Sequence, residues 1–261
     1  MATLILPPRY TNDSRILWKA SIALGWEVLR LQEWRINRDQ VSGDVIIYGE
    51  ALFVKTIADQ LDLCLIEPTA EWVISLPTEY LKRDVGLVRA SEIGSISFPA
   101  FIKPFAEKSL PPRVYQSLQD FILPEYVSED EQLFYSDPVV WEVEYRSFVL
   151  NDECLTISLY ERNGKVNQSE DGNWPASVEE IDEAHRFVQG ILEEFPDQIP
   201  PAMVLDVGII QDKGWAVLEV NPCWGSGIYG CDPFEVLKTI QRACINRNQI
   251  EEDDLMWVSS L

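Results

Sequence analysis

Three groups of residues in this chain have the types and the spacing to do chemistry. The first is Val204-Leu205-Asp206-Val207-Gly208, followed by Val217-Leu218-Glu219-Val220-Asn221-Pro222. Asp206 interrupts an apolar strand. Glu219 and Asn221 stand two apart, so they point to the same face of the strand expected to pair with it. Hard oxygen side chains converging on one end of a hairpin make a magnesium-type ligand set, because Mg²⁺ takes a few carboxylate oxygens and fills its shell with water or phosphate. On spacing alone the pattern equally fits an edge strand with one polar side and an Asn-Pro turn. The second group is Phe101-Ile102-Lys103-Pro104, with Lys108 five residues after Lys103. A lysine closing an apolar strand reaches a phosphate as a point charge, or lies along the surface with its head in water. The third is Glu142-Val143-Glu144-Tyr145-Arg146, where Glu142, Glu144 and Arg146 share one strand face. The guanidinium fork suits phosphate oxygens, and the same alternation fits a cross-strand ion-pair ladder.

What the chain lacks narrows the chemistry further. It has one histidine, His185, so nucleophilic catalysis that needs an imidazole would have to use it, and a two-histidine metal site within one chain is excluded. Its five cysteines, Cys64, Cys154, Cys223, Cys231 and Cys244, form no C-x-x-C pair, which removes zinc-site spacing. They read as reduced thiols of a cytoplasmic protein. No G-x-G-x-x-G follows any expected strand, so a dinucleotide fingerprint is missing.

The elements that must position these residues are legible in the periodicity. Thr3–Leu6 reads as a buried strand ended by Pro7-Pro8. Asp13 is placed to cap a helix whose stripe is Ile16, Leu17, Ala20 and Leu24, closed by Gly25. Strands at Glu27–Leu31, Asp44–Tyr48 and Leu63–Ile66, with a helix over Ala51–Leu61, argue for a small, mostly parallel sheet covered by helices. A connecting region over 71–95 holds a short helix within Pro77–Val85. Beyond it come a strand at Ala100–Lys103, a helix over Arg113–Phe121, and antiparallel strands at Gln132–Val140, Glu144–Leu150 and Glu153–Tyr160, the last two joined by Asn151-Asp152. Ser177-Val178-Glu179-Glu180 is a capping box opening a helix that ends before Pro196. Met203–Ile210 and Trp215–Val220 form a further hairpin. Asp232-Pro233-Phe234-Glu235 opens the last helix with a second box, and Glu251-Glu252-Asp253-Asp254 reads as a solvated tail. Trp18, Trp26, Trp34 and Trp72 read as packing residues, and His185 as a surface residue.

Taken in order, the lysine of I-K-P, the E-Y-R strand leading to F-V, and D followed by E-x-N resemble the nucleotide site of the ATP-grasp superfamily. The nearest likeness is to a divergent branch that includes a eukaryotic cell-division and translation-initiation assembly factor and bacterial and phage relatives pairing two lysines with one arginine. Gly25-Trp26-Glu27-Val28, Tyr48-Gly49-Glu50 and Leu76-Pro77 resemble stretches that precede the core in such proteins. The resemblance implies an α/β (α+β) chain with the ATP-grasp fold, divided into an N-terminal α/β lobe over 1–95 and a nucleotide-binding and catalytic region over 96–261. It implies that Lys103 and Lys108 hold the phosphates of ATP. Phe134-Tyr135-Ser136-Asp137, with Ser136 at its centre, is then the adenine hinge, and Arg146 faces the transferring phosphoryl group. Glu144 contacts ribose or metal, and Asp206, Glu219 and Asn221 bind Mg²⁺. Two landmarks differ: Phe105-Ala106-Glu107 stands where many members have a glycine-rich loop, and Arg83 is the nearest residue to an upstream nucleotide lysine.

The reaction the resemblance implies is ATP-dependent activation of a carboxylate to an acyl-phosphate, then attack by an amine or thiol, on a small molecule, peptide or protein. The alternatives are an ATP-binding assembly factor or regulator with little turnover, and phosphotransfer to a hydroxyl. The loop Cys223–Gly230, with its three glycines, either approaches a ligand with Trp224 or Tyr229 walling the acceptor or is a tight turn. The charge balance bears on partners. Lys+Arg is 21 against Asp+Glu 43, a formal net charge of −22. Such a surface repels nucleic acid and anionic lipid at long range and suits a basic protein partner. No apolar run reaches the roughly 18 residues of a membrane span, and the first residues do not read as a signal peptide.

Overall fold

The computed structural model describes residues 2–104 and 110–259. The chain divides into two compact units. One comprises Met1–Pro68, Val143–Val207 and Leu218–Leu261, the other Thr69–Glu142 and Gly208–Val217.

Strand β1 (Ala2–Leu6) is buried at all five positions. Helix α1 (Asn12–Ala23) carries the chain from it to β2 (Glu27–Arg30), which pairs with β1 in parallel. Strand β3 (Asp44–Ile47) is parallel to β1 on its other side. Helix α2 (Ala51–Gln60) buries Phe53, Val54, Ile57 and Ala58 before β4 (Leu63–Leu65). The expected parallel sheet is therefore present as β2-β1-β3. The cap of α1 differs from expectation. Thr11, not Asp13, is the N-cap, and it exchanges hydrogen bonds of 3.0 Å each way with Ser14. The box T-x-x-S satisfies the first-turn amides, which frees the Asp13 carboxylate for other partners.

The second unit begins with α3 (Ala70–Ser75) and α4 (Thr78–Leu81), the latter inside the span expected for a short helix. Strands β5 (Val85–Arg89), β6 (Ala100–Pro104), β7 (Arg113–Tyr115) and β8 (Gln132–Ser136) form an antiparallel sheet in the order β5-β8-β6-β7. Its core holds Ile93, Ala100, Ile102, Tyr115 and Leu133. The helix expected over Arg113–Phe121 is not formed. Pro111-Pro112 hold the approach extended, and β7 pairs with β6 through Phe101 opposite Val114. The apolar spacing that mimics a helix instead brings the Phe121 ring to 5.2 Å from that of Tyr115.

Strands β9 (Trp141–Leu150) and β10 (Glu153–Arg162) form a hairpin whose turn residues Asn151 and Asp152 have φ of 46° and 65°. That is the left-handed pair a two-residue hairpin turn requires. β11 (Lys165–Val166) follows. Helix α5 (Val178–Glu194), capped by the Ser177–Glu180 box, sets Ala184, Val188, Ile191 and Leu192 into the core. β12 (Ala202–Ile210) and β13 (Gly214–Asn221) complete a five-stranded sheet ordered β11-β10-β9-β12-β13. Helix α6 (Pro233–Ala243) is capped by Asp232, whose carboxylate accepts from the Phe234 and Glu235 amides. The second capping box does not close: the Glu235 carboxylate pairs with Lys238, and the Asp232 amide donates to Thr156 Oγ1. β14 (Cys244–Asn246) pairs antiparallel with β4.

Three sequence expectations outside the site need correction. The acidic run is not wholly solvated, since Asp254 is buried and paired with Arg242. His185 is half-buried, with Nε2 3.1 Å from the Cys154 carbonyl. Trp72 is buried and Trp26 half-buried, whereas Trp18 and Trp34 are exposed, Trp34 lying edge-on to Phe53 at 5.7 Å. All five cysteines are free and buried. Among the described residues no helix is long and apolar enough to cross a membrane.

Candidate functional site

The site grows from adjacent strands of the five-stranded sheet. Arg146 on β9 faces Asp206 on β12, and the two meet as a fork: Nε to Oδ1 at 2.9 Å and Nη2 to Oδ2 at 2.6 Å. Asp206 is fully buried and Arg146 nearly so. On β13, next to β12, the Asn221 amide nitrogen donates to Glu219 Oε1 at 2.9 Å and to Asp206 Oδ2 at 3.5 Å. The alternation read from the sequence thus brings Asp206, Glu219 and Asn221 together, with Arg146 among them. Arg146 takes no part in an ion-pair ladder along β9, because its cross-strand neighbour is Ser158.

Electrostatics follow from this crowding. Burial pushes the Asp206 carboxyl up to about 6; the Arg146 guanidinium opposes the rise and Glu219 adds to it. Glu144, two residues before Arg146, is pushed up to about 7, mainly by burial, and its neighbours Glu161 and Asp206 push the same way. The Tyr160 hydroxyl donates to Glu144 Oε2 at 2.6 Å and opposes that rise. Tyr160 stacks on Tyr229, centroids 4.7 Å apart, and the guanidinium lies 4.8 Å from the Tyr229 ring centre. Sequence reasoning did not single out Tyr160. Its signal is the register shift in β10 between Leu159 and Glu161, which turns it toward Glu144 and is not visible in a pattern of period two.

The loop after β13 returns to the same place. The Gly227 carbonyl accepts from Arg146 Nη1 at 3.1 Å. Asp13, freed from capping, accepts at Oδ2 from the Ile228 amide at 3.2 Å and the Tyr48 hydroxyl at 3.3 Å. Trp224 does not wall a pocket. It is buried, and its indole N–H donates to the Ile66 carbonyl at 3.0 Å. Tyr229 does line the site, through its contact with Arg146.

Lys103 and Ser136 belong to the other unit. Lys103 sits on β6 opposite Phe134, its Nζ 5.5 Å from that ring's centre. Ser136 ends β8, buried, its hydroxyl donating to the Asp137 carbonyl, while the Asp137 amide donates to the Asp84 carbonyl. Arg83 is buried and donates to the Leu81 and Val217 carbonyls at 2.9 and 2.8 Å, so it holds backbone in place rather than reaching for a nucleotide. Lys108 lies outside the described residues.

Among the described residues no three acidic, cysteine or histidine side chains gather into a metal cage. The donor set at Asp206, Glu219 and Asn221 is two carboxylates and an amide, all hard oxygen once the Asn221 amide presents Oδ1. That fits Mg²⁺, which keeps several ligand positions for water and phosphate. The charge balance agrees, since Asp206, Glu219 and Glu144 surround one guanidinium.

Sheets of this order and connection make the ATP-grasp fold. It matches the solved structure of a RimK domain ATP-grasp protein from Sphaerobacter thermophilus at a TM-score of 0.52 and 14% identity, over 93% of this chain and 98% of that one. It also matches N5-carboxyaminoimidazole synthetase from Staphylococcus aureus at 0.56 and 12%, over 94% and 78%. N5-carboxyaminoimidazole ribonucleotide synthetase from Thermotoga maritima matches at 0.55 and 13%, over 93% and 76%. No curated protein matches the chain in a sequence search. The chain belongs to an ATP-grasp domain family, family 2 of its clade, whose model matches residues 80–239.

Proposed function

We propose that the chain is a Mg-ATP-dependent ligase joining a carboxylate to an amine or thiol through an acyl-phosphate, on a small molecule, peptide or protein. The observation that carries this reading is the buried Arg146–Asp206 fork with Glu219 and Asn221 on the next strand. In this reading residues 96–261 supply the nucleotide chemistry and 1–95 precede it as a lobe. Lys103 and Lys108 hold phosphate oxygens and Ser136 marks the adenine hinge. Asp206, Glu219 and Asn221 hold Mg²⁺, with Glu144 beside them. The ion, when bound, neutralises phosphate charge. Arg146 holds the transferring group, and Asp206 fixes the plane of its guanidinium. Phosphoryl transfer needs positioning and charge neutralisation more than a covalent nucleophile, which suits a site with no histidine near it. The five unpaired buried thiols suit a cytoplasmic setting.

The test is thermal unfolding with and without Mg-ATP, on the wild type and on Lys103→Ala and Glu219→Ala. At a hundredfold excess over Kd, binding adds about 2.7 kcal/mol, which raises Tm by roughly 5–10 °C for a chain of this size. The shift is expected in the wild type and lost in both variants while they remain folded. No shift in the wild type at millimolar Mg-ATP would sink the proposal. A stable ATP complex that binds a partner protein without releasing ADP would favour the assembly-factor reading instead.

A further inference from the structure

Gly227 has no backbone reason to be glycine. It is absent from the positive-φ glycines, and a Cβ built on it would clash with nothing. That Cβ would stand 3.5 Å from Asp13 Oδ2, 3.6 Å from Arg146 Nη1 and 3.6 Å from Tyr229 Cζ, all ordinary contacts. The missing methyl therefore leaves a small space bounded by a carboxylate, a guanidinium and a phenol ring. The carboxylate is held in place from one side only. Its Oδ2 takes the Ile228 amide and the Tyr48 hydroxyl, and Tyr48 is itself fixed by its contact with the Ser226 carbonyl at 3.0 Å. Oδ1 takes no hydrogen bond from a described residue.

We infer that Asp13 and Gly227 form the subsite of the attacking nucleophile, that this nucleophile is a primary amine, and that Asp13 Oδ1 orients it and accepts the proton it sheds. The inference rests on the ligase reading and narrows it. Arg146, on the far side of the gap, is the anchor proposed for the anionic acyl-phosphate. An amine held on Asp13 then faces an electrophile held on Arg146. The nitrogen lone pair forms the C–N bond, and the C–O bond to phosphate breaks. Phosphate leaves with that electron pair, and the proton passes to Oδ1. An amine has N–H donors for a carboxylate that lacks a partner, whereas a thiol has a single weak one.

The charged and titratable groups facing Asp13 are Tyr48 after β3, Arg146 on β9 and Tyr229 in the loop. Burial raises the Asp13 carboxyl above its usual range; the Ile228 amide, the Tyr48 hydroxyl and the Arg146 charge oppose the rise without cancelling it. A carboxylate so placed is a better proton acceptor than an exposed one.

The test uses the full chain with Mg-ATP, N-acetyl L-amino acids as carboxylate donors, and either hydroxylamine or methylamine as acceptor. Hydroxylamine is small and uncharged at neutral pH, so hydroxamate reports activation of the carboxylate, while N-methylamide reports use of the amine subsite. In Asp13→Asn and Gly227→Ala the ratio of amide to hydroxamate is expected to fall about 100-fold, the scale of a lost general base. The wild-type kcat/KM for amide is expected to fall as Asp13 takes up a proton, and Asp13→Asn is expected to lose that limb. Asn keeps an oxygen for the Ile228 amide, so a purely structural Asp13 would leave both ratio and profile unchanged, and that result overturns the inference. A wild type that forms N-methylamide with none of these donors while forming hydroxamate also overturns it. A wild type that forms neither product removes the ligase reading and the inference with it.

Discussion

Arg146→Met is expected to lower the unfolding free energy by about 3–5 kcal/mol, the cost of leaving a buried charge without its partner. Both Asp206 oxygens are engaged by the guanidinium at 2.9 and 2.6 Å, and Asp206 has no exposed surface through which water could replace it. Without the arginine, Asp206 would face Glu219 with only the Asn221 amide between them. For a chain of this length that corresponds to a fall in Tm of roughly 6–20 °C. The double variant Arg146→Met/Asp206→Leu removes both charges and is expected to recover most of the loss, because a buried pair is often worth no more than an apolar replacement. Urea unfolding of the two variants beside the wild type decides the matter. A loss below about 1 kcal/mol in the single variant, the scale of an exposed pair, would mean that water reaches the fork.

Glu144→Gln is expected to stabilise the protein at alkaline pH and to leave it unchanged in acid. The Glu144 carboxyl is raised from 4.5 to about 7, chiefly by burial. A group raised in the folded state favours folding when protonated. Its contribution is complete below about pH 4.5 and is lost as pH rises through about 7. The full span is about 3 kcal/mol, taken from the size of that shift. Glutamine keeps an oxygen for the Tyr160 hydroxyl and never ionises, so the gap between variant and wild type should open across that window. The check is denaturant unfolding of both proteins at intervals from about pH 4.5 to about 8.5, without divalent cation. A gap that stays constant with pH would place the Glu144 carboxylate in water.

Which parts of this site could be read from the sequence depends on how local their causes are. Asp206, Glu219 and Asn221 were legible because strand alternation fixes their face and a three-residue connection fixes the pairing of β12 with β13. The caps at Ser177 and Asp232 were legible because they act within four residues. Asp13 misleads because an acidic residue at a helix start is also a cap signal, and Thr11-x-x-Ser14 competes for the same amides. Its actual partners, Tyr48 and Ile228, lie 35 and 215 residues away. The helix expected over Arg113–Phe121 fails for a similar reason, since the ladder with β6 is a tertiary event that overrides local spacing. The pairing of Asp254 with Arg242 and the inward turn of Tyr160 depend likewise on contacts that no local pattern encodes.

The cysteines have a use beyond packing. Cys64, Cys154, Cys223, Cys231 and Cys244 all fall in the unit that holds Arg146 and Asp206. Burial pushes the Cys154 and Cys244 thiols up to about 12, and those of Cys223 and Cys231 upward as well, so little thiolate is available while that unit stays closed. Tryptophans stand in both units, among them Trp224 in one and Trp72 in the other. Thiol labelling is therefore a clock for the opening of one half of the molecule, against which fluorescence records the whole.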